Sequence, residues 1–272
     1  MPGLRLIAAA MVAAATIALV PQGGQAQQSI EYNQWDAVKP MYFGDREIGD
    51  GSAVLAVKAP DRAHDAALVP VEVISKLGPD SDQRIEAVTL LVERNPVPLA
   101  GRFAFPSQRI GKFSTRVRVQ SYTYIRAIAE MADGRLLRAS KFVKASGGCS
   151  APAMKDPEEA MANLGQIRIR TSGDARRSQP VTAQVMIRHP NYSGMQYDQI
   201  HRSYIPAHYV EGIAVDYAGQ TLIRAKTDIS ISENPTLRFT FTPERVDGFA
   251  VSVTDSKNNT FQQHWAPAGG QG

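Results

Sequence analysis

From residue 53 onward the chain keeps returning to one pattern: short runs of alternating or clustered apolar residues, each closed by Gly, Pro, Asp or Asn. Alternation with period two puts successive side chains on opposite faces of an extended chain and marks strands. Such runs fall at 53–59, 68–77, 84–93, from Phe103, at 113–129 and at 135–143. A second series falls at 166–170, 181–189, 204–217, 220–228, 236–242, 249–254 and 260–265. Asp133-Gly134, Ala218-Gly219, Asp247-Gly248 and Asn258-Asn259 supply turns between them. Within 113–129, Arg116 and Arg118 are expected to point opposite to Val117 and Val119.

The pattern predicts an all-β chain. An immunoglobulin-like sandwich takes about 100 residues, so a length of 272 holds two, joined by a Gly-rich stretch carrying a cysteine and by a short helix. The helix is read at 156–164, where Asp156 caps, Pro157 opens the first turn, Glu158 and Glu159 sit at the positive end of the dipole and Gly165 stops it. A second short helix is read within 29–43, from Ile30, Trp35 and Val38 at helical spacing, ended by Pro40. Residues 44–51 read as a polar loop. The expected domains are a signal peptide at 1–26, one sandwich at 27–145, a cysteine arm and helical linker at 146–165, a second sandwich at 166–266 and a disordered tail at 267–272.

Residues 1–26 have the form of an export signal: Arg5, then an apolar run at 6–20, then Pro21 and the small residues Gly24 and Ala26 at the cleavage positions. The expected location is the periplasm, with cleavage before Gln27. No later segment has the roughly 18 apolar residues a membrane helix needs, so no membrane attachment is expected after cleavage. The formal charge of +4 falls to +3 when Arg5 leaves, and no dense basic block makes nucleic acid a partner.

An exported chain with one cysteine forms no internal disulfide, so Cys149 is either buried and inert or kept for reaction. It lies where periodicity stops, after Gly147 and Gly148 and before Ser150, Ala151 and Pro152, with Lys141, Lys144 and Lys155 nearby. Two glycines give the backbone freedom, and cations favour the reactive thiolate. The stretch reads as a presented nucleophile on a flexible loop; the plainer reading is a turn in which Cys149 is an incidental small hydrophobe.

The ending V-K-A-S-G-G-C, at 143–149, resembles SoxY, the cysteine-bearing half of the sulfur-oxidation carrier SoxYZ. The second half resembles SoxZ, its partner subunit, in I-R-I-R at 167–170, M-I-R-H-P-N-Y-S-G at 186–194, S-I-S-E-N-P-T-L-R-F at 230–239, Asp247-Gly248 and Trp265. The resemblance implies a fused, non-enzymatic periplasmic carrier without cofactor. In it Cys149 holds a sulfur species covalently, Gly147 and Gly148 give the arm flexibility, and periplasmic redox enzymes or cytochromes are the partners. The nearest group by resemblance is associated with quinoprotein dehydrogenases that use pyrroloquinoline quinone, which also implies an alternative role as an accessory docking module for such a system. Ser150 and Ala151 depart from the family's Gly-Gly after the cysteine, and a whole domain follows the arm, so it is tethered at both ends.

Competing chemistry is weaker. His189, His201 and His208 have spacings that fit no compact metal motif, and no metal ligand is assigned. A Cys149–His hydrolase dyad lacks an evident oxyanion loop or orienting third group. Arg168 and Arg170 read as a solvated strand face, Arg176-Arg177 as an exposed loop, and Trp35 and Trp265 as packing residues.

Overall fold

The computed structural model describes residues 32–78, 80–107, 109–152, 157–172 and 179–266. The signal segment 1–26, Ile30, Lys155, Asp156, Arg176, Arg177 and the tail 267–272 lie outside the described residues.

The described chain is nearly all β, as the alternation predicts. Its first half contains β1 (Ile48–Asp50), β2 (Leu55–Lys58), β3 (Val69–Ser75), β4 (Ile85–Val92), β5 (Leu99–Ala104), β6 (Lys112–Val117), β7 (Thr123–Met131) and β8 (Leu136–Val143). The second half contains β9 (Ile167–Ser172), β10 (Val181–Ile187), the two short strands β11 (Tyr197–Asp198) and β12 (Ser203–Tyr204), β13 (Val210–Tyr217), β14 (Gln220–Thr227), β15 (Thr236–Phe241), β16 (Phe249–Asp255) and β17 (Thr260–Trp265). Helix α1 (Trp35–Phe43) precedes the strands, and α2 (Pro157–Ala162) lies between the halves.

Each half is a two-layer sandwich, and the halves join through both sheets. One sheet runs β1-β8-β7-β4-β5-β14-β13-β16-β17; the other runs β2-β3-β6-β15-β10-β9. The seams are antiparallel, with Ala225 opposite Phe103 where β14 meets β5 and Phe239 opposite Phe113 where β15 meets β6. The expected join through an arm and helix is therefore accompanied by backbone pairing that no local pattern announces. Gly101 is required at the first seam: a Cβ there would lie 2.9 Å from the Lys226 carbonyl oxygen. Behind the seams one apolar core runs through both halves, with Phe103 and Phe113 rings 4.8 Å apart beside Phe239 and Phe241.

Four differences from the sequence reading have clear causes. The run 113–129 is two strands, because after Val117 the chain leaves one sheet and crosses to the other. Likewise 204–217 is divided between β12 and β13. Residues 48–50, read as loop, form β1 and pair in parallel with β8. Pro40 lies inside α1, which continues to Phe43 and ends where the Gly44 N–H bonds the Pro40 carbonyl. The helix survives Pro40 because tertiary packing holds it: Trp35 and Val38 bury against Leu91, Ile128 and Leu136 on the outer face of the larger sheet. Beneath it the buried Arg126 and Glu93 form an ion pair, with the guanidinium 5.0 Å from the Trp35 ring.

Candidate functional site

After β8 the chain does not swing free. Gly147, at φ +83°, donates its N–H to the Gln120 carbonyl at 2.9 Å, and Gly148 donates to the Val119 carbonyl at 2.9 Å. The left-handed conformation at Gly147 costs a residue with Cβ about 1–2 kcal/mol. Gly148 is needed for space: a Cβ would lie 2.0 Å from the Ala66 carbonyl oxygen. The two glycines thus press the turn against the 118–120 crossover.

Cys149 follows at 1% exposure. Its N–H donates to Gln120 Oε1 at 3.0 Å, and its carbonyl accepts a 2.6 Å hydrogen bond from Ser193 Oγ in the second half. The expectation of an exposed thiol on a flexible loop is corrected here, because segments distant in sequence cover it. Among the described residues, Lys141 and Lys144 are not among the charges that act on the thiol. Burial pushes its pKa up to about 11, against the opposing pull of Arg118. In this closed form the sulfur is shielded, and its raised pKa favours the thiol over the thiolate at neutral pH.

Arg118 stands among the largest fully buried side chains, although it alternates with Val117 and Val119, which are buried too. Its backbone N–H donates to Ser230 O at 2.8 Å, and Asn95 Nδ2 donates to its carbonyl at 2.7 Å and to Ser230 Oγ at 2.8 Å. The guanidinium reaches two backbone carbonyls, Gly148 at 3.4 Å and Asn191 at 3.0 Å, and Nε has no partner among the described residues.

The 189–194 turn ties this site to a second buried cluster. Asn191 bonds Ile231 O and Val210 N–H through its side chain, and its own N–H donates to His189 Nδ1 at 3.0 Å. Asp255 Oδ2 lies 3.4 Å from His189 Nε2 and 2.8 Å from His208 Nε2. His201 lies apart, exposed, 2.7 Å from Asp198. Sequence spacing missed Asp255, which the fold brings from β16 beside two of the three histidines.

The grouping has the donor types of a metal centre, but its protons argue otherwise. Because His189 Nδ1 accepts from Asn191, its Nε2 carries the proton and donates to Asp255. A metal ligated through Nε2 needs Nδ1 to donate instead. Asp255 also accepts from the Lys257 and Asn259 N–H groups, each at 2.9 Å, and from Asn259 Nδ2 at 2.9 Å. The cluster reads as a hydrogen-bonded brace. Burial, then His208, pulls the His189 pKa down to about 4. For Asp255 burial works upward, but the hydrogen bonds from Asn259 and His208 hold the carboxyl well below its ordinary range.

Comparison with known proteins gives two family matches in order along the chain: Sulfur oxidation protein SoxY over residues 39–149 and Sulphur oxidation protein SoxZ over residues 169–266. The chain is a fused SoxYZ-like protein. The SoxY half ends its match on Cys149, and the SoxZ half contributes Ser193, Asn191 and the His189–His208–Asp255 brace. Among solved structures, the sulfur carrier protein SoxY from Chlorobium limicola f thiosulfatophilum is 25% identical, covering 40% of this chain and 90% of that one, with a TM-score of 0.34. A superoxide reductase (neelaredoxin) from Ignicoccus hospitalis is 19% identical over 34% of this chain and 79% of that one, with a TM-score of 0.29. No curated protein matches. No helix among the described residues is long and apolar enough to cross a membrane.

Proposed function

We propose that the fused protein is an exported, non-enzymatic carrier on which Cys149 holds a sulfur species as a disulfide, persulfide or related adduct and offers it to periplasmic redox enzymes or cytochromes. The observation that carries this reading is that the SoxY match closes on the chain's only cysteine. Residues 1–26 serve as the export signal, 27–145 and 166–266 as the two domains, and 146–165 as a doubly tethered arm in which Gly147 and Gly148 act as the hinge. A thiol whose pKa is about 11 when closed must be uncovered before transfer, so the working cycle alternates between the closed turn and an opened one. The test is the intact mass of protein isolated from its native cell. An adduct on Cys149 that a reductant removes supports the carrier; a thiol that is always unmodified, in cells actively oxidising sulfur compounds, overturns it.

The burial of Cys149 favours a second reading: a docking module for a quinoprotein dehydrogenase system, in which the sulfur is structural. Pull-down of the dehydrogenase or its cytochrome that survives Cys149→Ala unchanged is its expected result.

A further inference from the structure

Arg168 and Arg170, which in isolation read as a solvated strand face, join a larger array once the strands are paired. The inward side chains of the smaller sheet, among them Val71, Phe113, Phe239 and Val185, fill the core, so the alternate residues of its six strands look outward. One outward row crosses all six strands in register: Lys58, Glu72, Ser114, Arg238, Gln184 and Arg170. With a strand spacing of roughly 4.8 Å, the row is about 24 Å long. Lys112, Arg116 and Arg168 stand beside it, each two residues along its own strand. The strands thus present six cations outward against one carboxylate, Glu72. Glu72 lies opposite Lys58 and 3.9 Å from Lys112, and Arg168, Arg170 and Arg238 form no ion pair among the described residues. Glu159 and Glu233 line a separate small cavity with Arg168 and Arg188. The formal charge of the whole chain is +4, so the positive excess is gathered on this face and the remainder is close to neutral. The face is also composite: β2, β3 and β6 come from the SoxY half and β9, β10 and β15 from the SoxZ half. A groove crosses the β6–β15 seam between Lys58, Glu72, Arg116, Met186 and Arg238. Arg116 is fixed across that seam, donating to the Asn234 carbonyl at 3.1 Å and to Thr236 Oγ1 at 3.2 Å.

We propose that the outer face of the smaller sheet is a docking surface for a partner protein with an acidic face, seated across the seam of the two halves. Charge complementarity names the occupant. The cations of the SoxZ half are arginines, whose planar forks take carboxylates two bonds at a time and are enriched at protein interfaces. Met186, between Arg168 and Thr236 in register, adds an adaptable apolar contact among them. A second copy of this chain is disfavoured, because no counterpart excess of negative charge remains elsewhere on it. The surface is built by both halves together, so its partner recognises the joined protein and neither half alone. The inference is independent of what Cys149 carries.

The test places the photocrosslinker p-benzoylphenylalanine at Gln184, the middle of the arginine row, in the full chain expressed in its native cell. Ser114 serves instead if the Gln184 variant does not fold, and exposed Gln262 on β17 of the other sheet is the control position. After irradiation, mass spectrometry identifies the attached protein and the segment joined to the probe. The expected result is one dominant product absent from the control, joined through a segment rich in Asp and Glu. Its yield should fall about tenfold in the double variant Arg170→Glu, Arg238→Glu, since reversing charges at an interface turns steering into repulsion. Arg170→Lys with Arg238→Lys should retain more of it. The purified pair should also bind more weakly as salt rises from about 50 to about 300 mM, because exposed charges are screened. All four changed residues are at or near the surface, so an unchanged melting temperature separates lost docking from lost folding. The proposal is overturned by a yield at Gln184 no greater than at Gln262, by a joined segment without excess acid, or by a yield that survives the double reversal. A product made of two copies of this chain, or one joined to nucleic acid, overturns it as well. The intact mass of Cys149 is unaffected by any of these outcomes, so failure here and failure of the carrier reading are distinguishable.

Discussion

Ser193 Oγ donates a 2.6 Å hydrogen bond to the carbonyl of Cys149, joining the loop of one half to the thiol-bearing turn of the other. With the Gln120 bond to the Cys149 N–H it fixes the backbone of the buried residue on both sides. Opening the turn has to break both.

Ser193→Ala removes one of these bonds, worth about 1–1.5 kcal/mol. The expected result is roughly tenfold faster alkylation of Cys149 in the folded protein, with denatured-state labelling unchanged and Cys149→Ser as the blank. An unchanged native rate would show that Ser193 does not hold the turn.

Cys149 itself should label slowly. A shift from the ordinary 9.0 to about 11 lowers the thiolate fraction about a hundredfold near pH 8, so native alkylation is expected at least that much slower than denatured. Because the folded pKa is raised, the stability tied to the thiol is complete below pH 9 and is lost as pH climbs toward 11. Urea unfolding at pH 8 and 10.5, with Cys149→Ser as reference, reads this directly.

Gly148→Ala and Gly147→Ala should differ sharply. The Gly148 Cβ would collide with the Ala66 carbonyl at 2.0 Å, whereas the Gly147 Cβ meets nothing within 4 Å and only the φ of +83° is penalised. We expect more than about 2 kcal/mol lost for Gly148→Ala and about 1 kcal/mol for Gly147→Ala. Denaturant midpoints compare them, and equal costs would contradict the packing described at Gly148.

The brace at His189 predicts acid sensitivity. Its folded pKa of about 4 lies below the ordinary 6.5, so the unfolded chain binds the extra proton between those values. Stability is therefore complete above about pH 6.5 and falls as pH drops toward 4, by about 3 kcal/mol in order of magnitude. Asp255, held low, adds a further loss below its unfolded value of 3.8. Unfolding free energies at pH 7 and pH 5 should differ, and His189→Gln should flatten the difference.

Much of this protein was legible in its sequence. The period-two runs identify most of the strands because a half-buried strand must alternate, and Gly134 and Gly219 mark turns because left-handed backbone favours residues without a Cβ. The family pattern over both halves, and the singular Cys149 after two glycines, were readable for the same local reason. What the tertiary structure decided depends on contacts far apart in sequence. The β5–β14 and β6–β15 seams arise because edge strands of the two halves satisfy each other's backbone, which periodicity within one strand does not encode. Alternation separates Arg118 from Val117 and Val119, yet at the crossover to the second sheet all three are buried, and the carbonyls that receive the guanidinium come from residues 148 and 191. Asp255 shows no kinship to His189 and His208 until β16 carries it to them. Whether Cys149 is presented or shielded is likewise a matter of which chains lie over it: a thiol's pKa follows its loss of water, and that loss is set by the packed neighbours, among them Ala66, Gln120 and Ser193, not by the residues adjoining it in sequence.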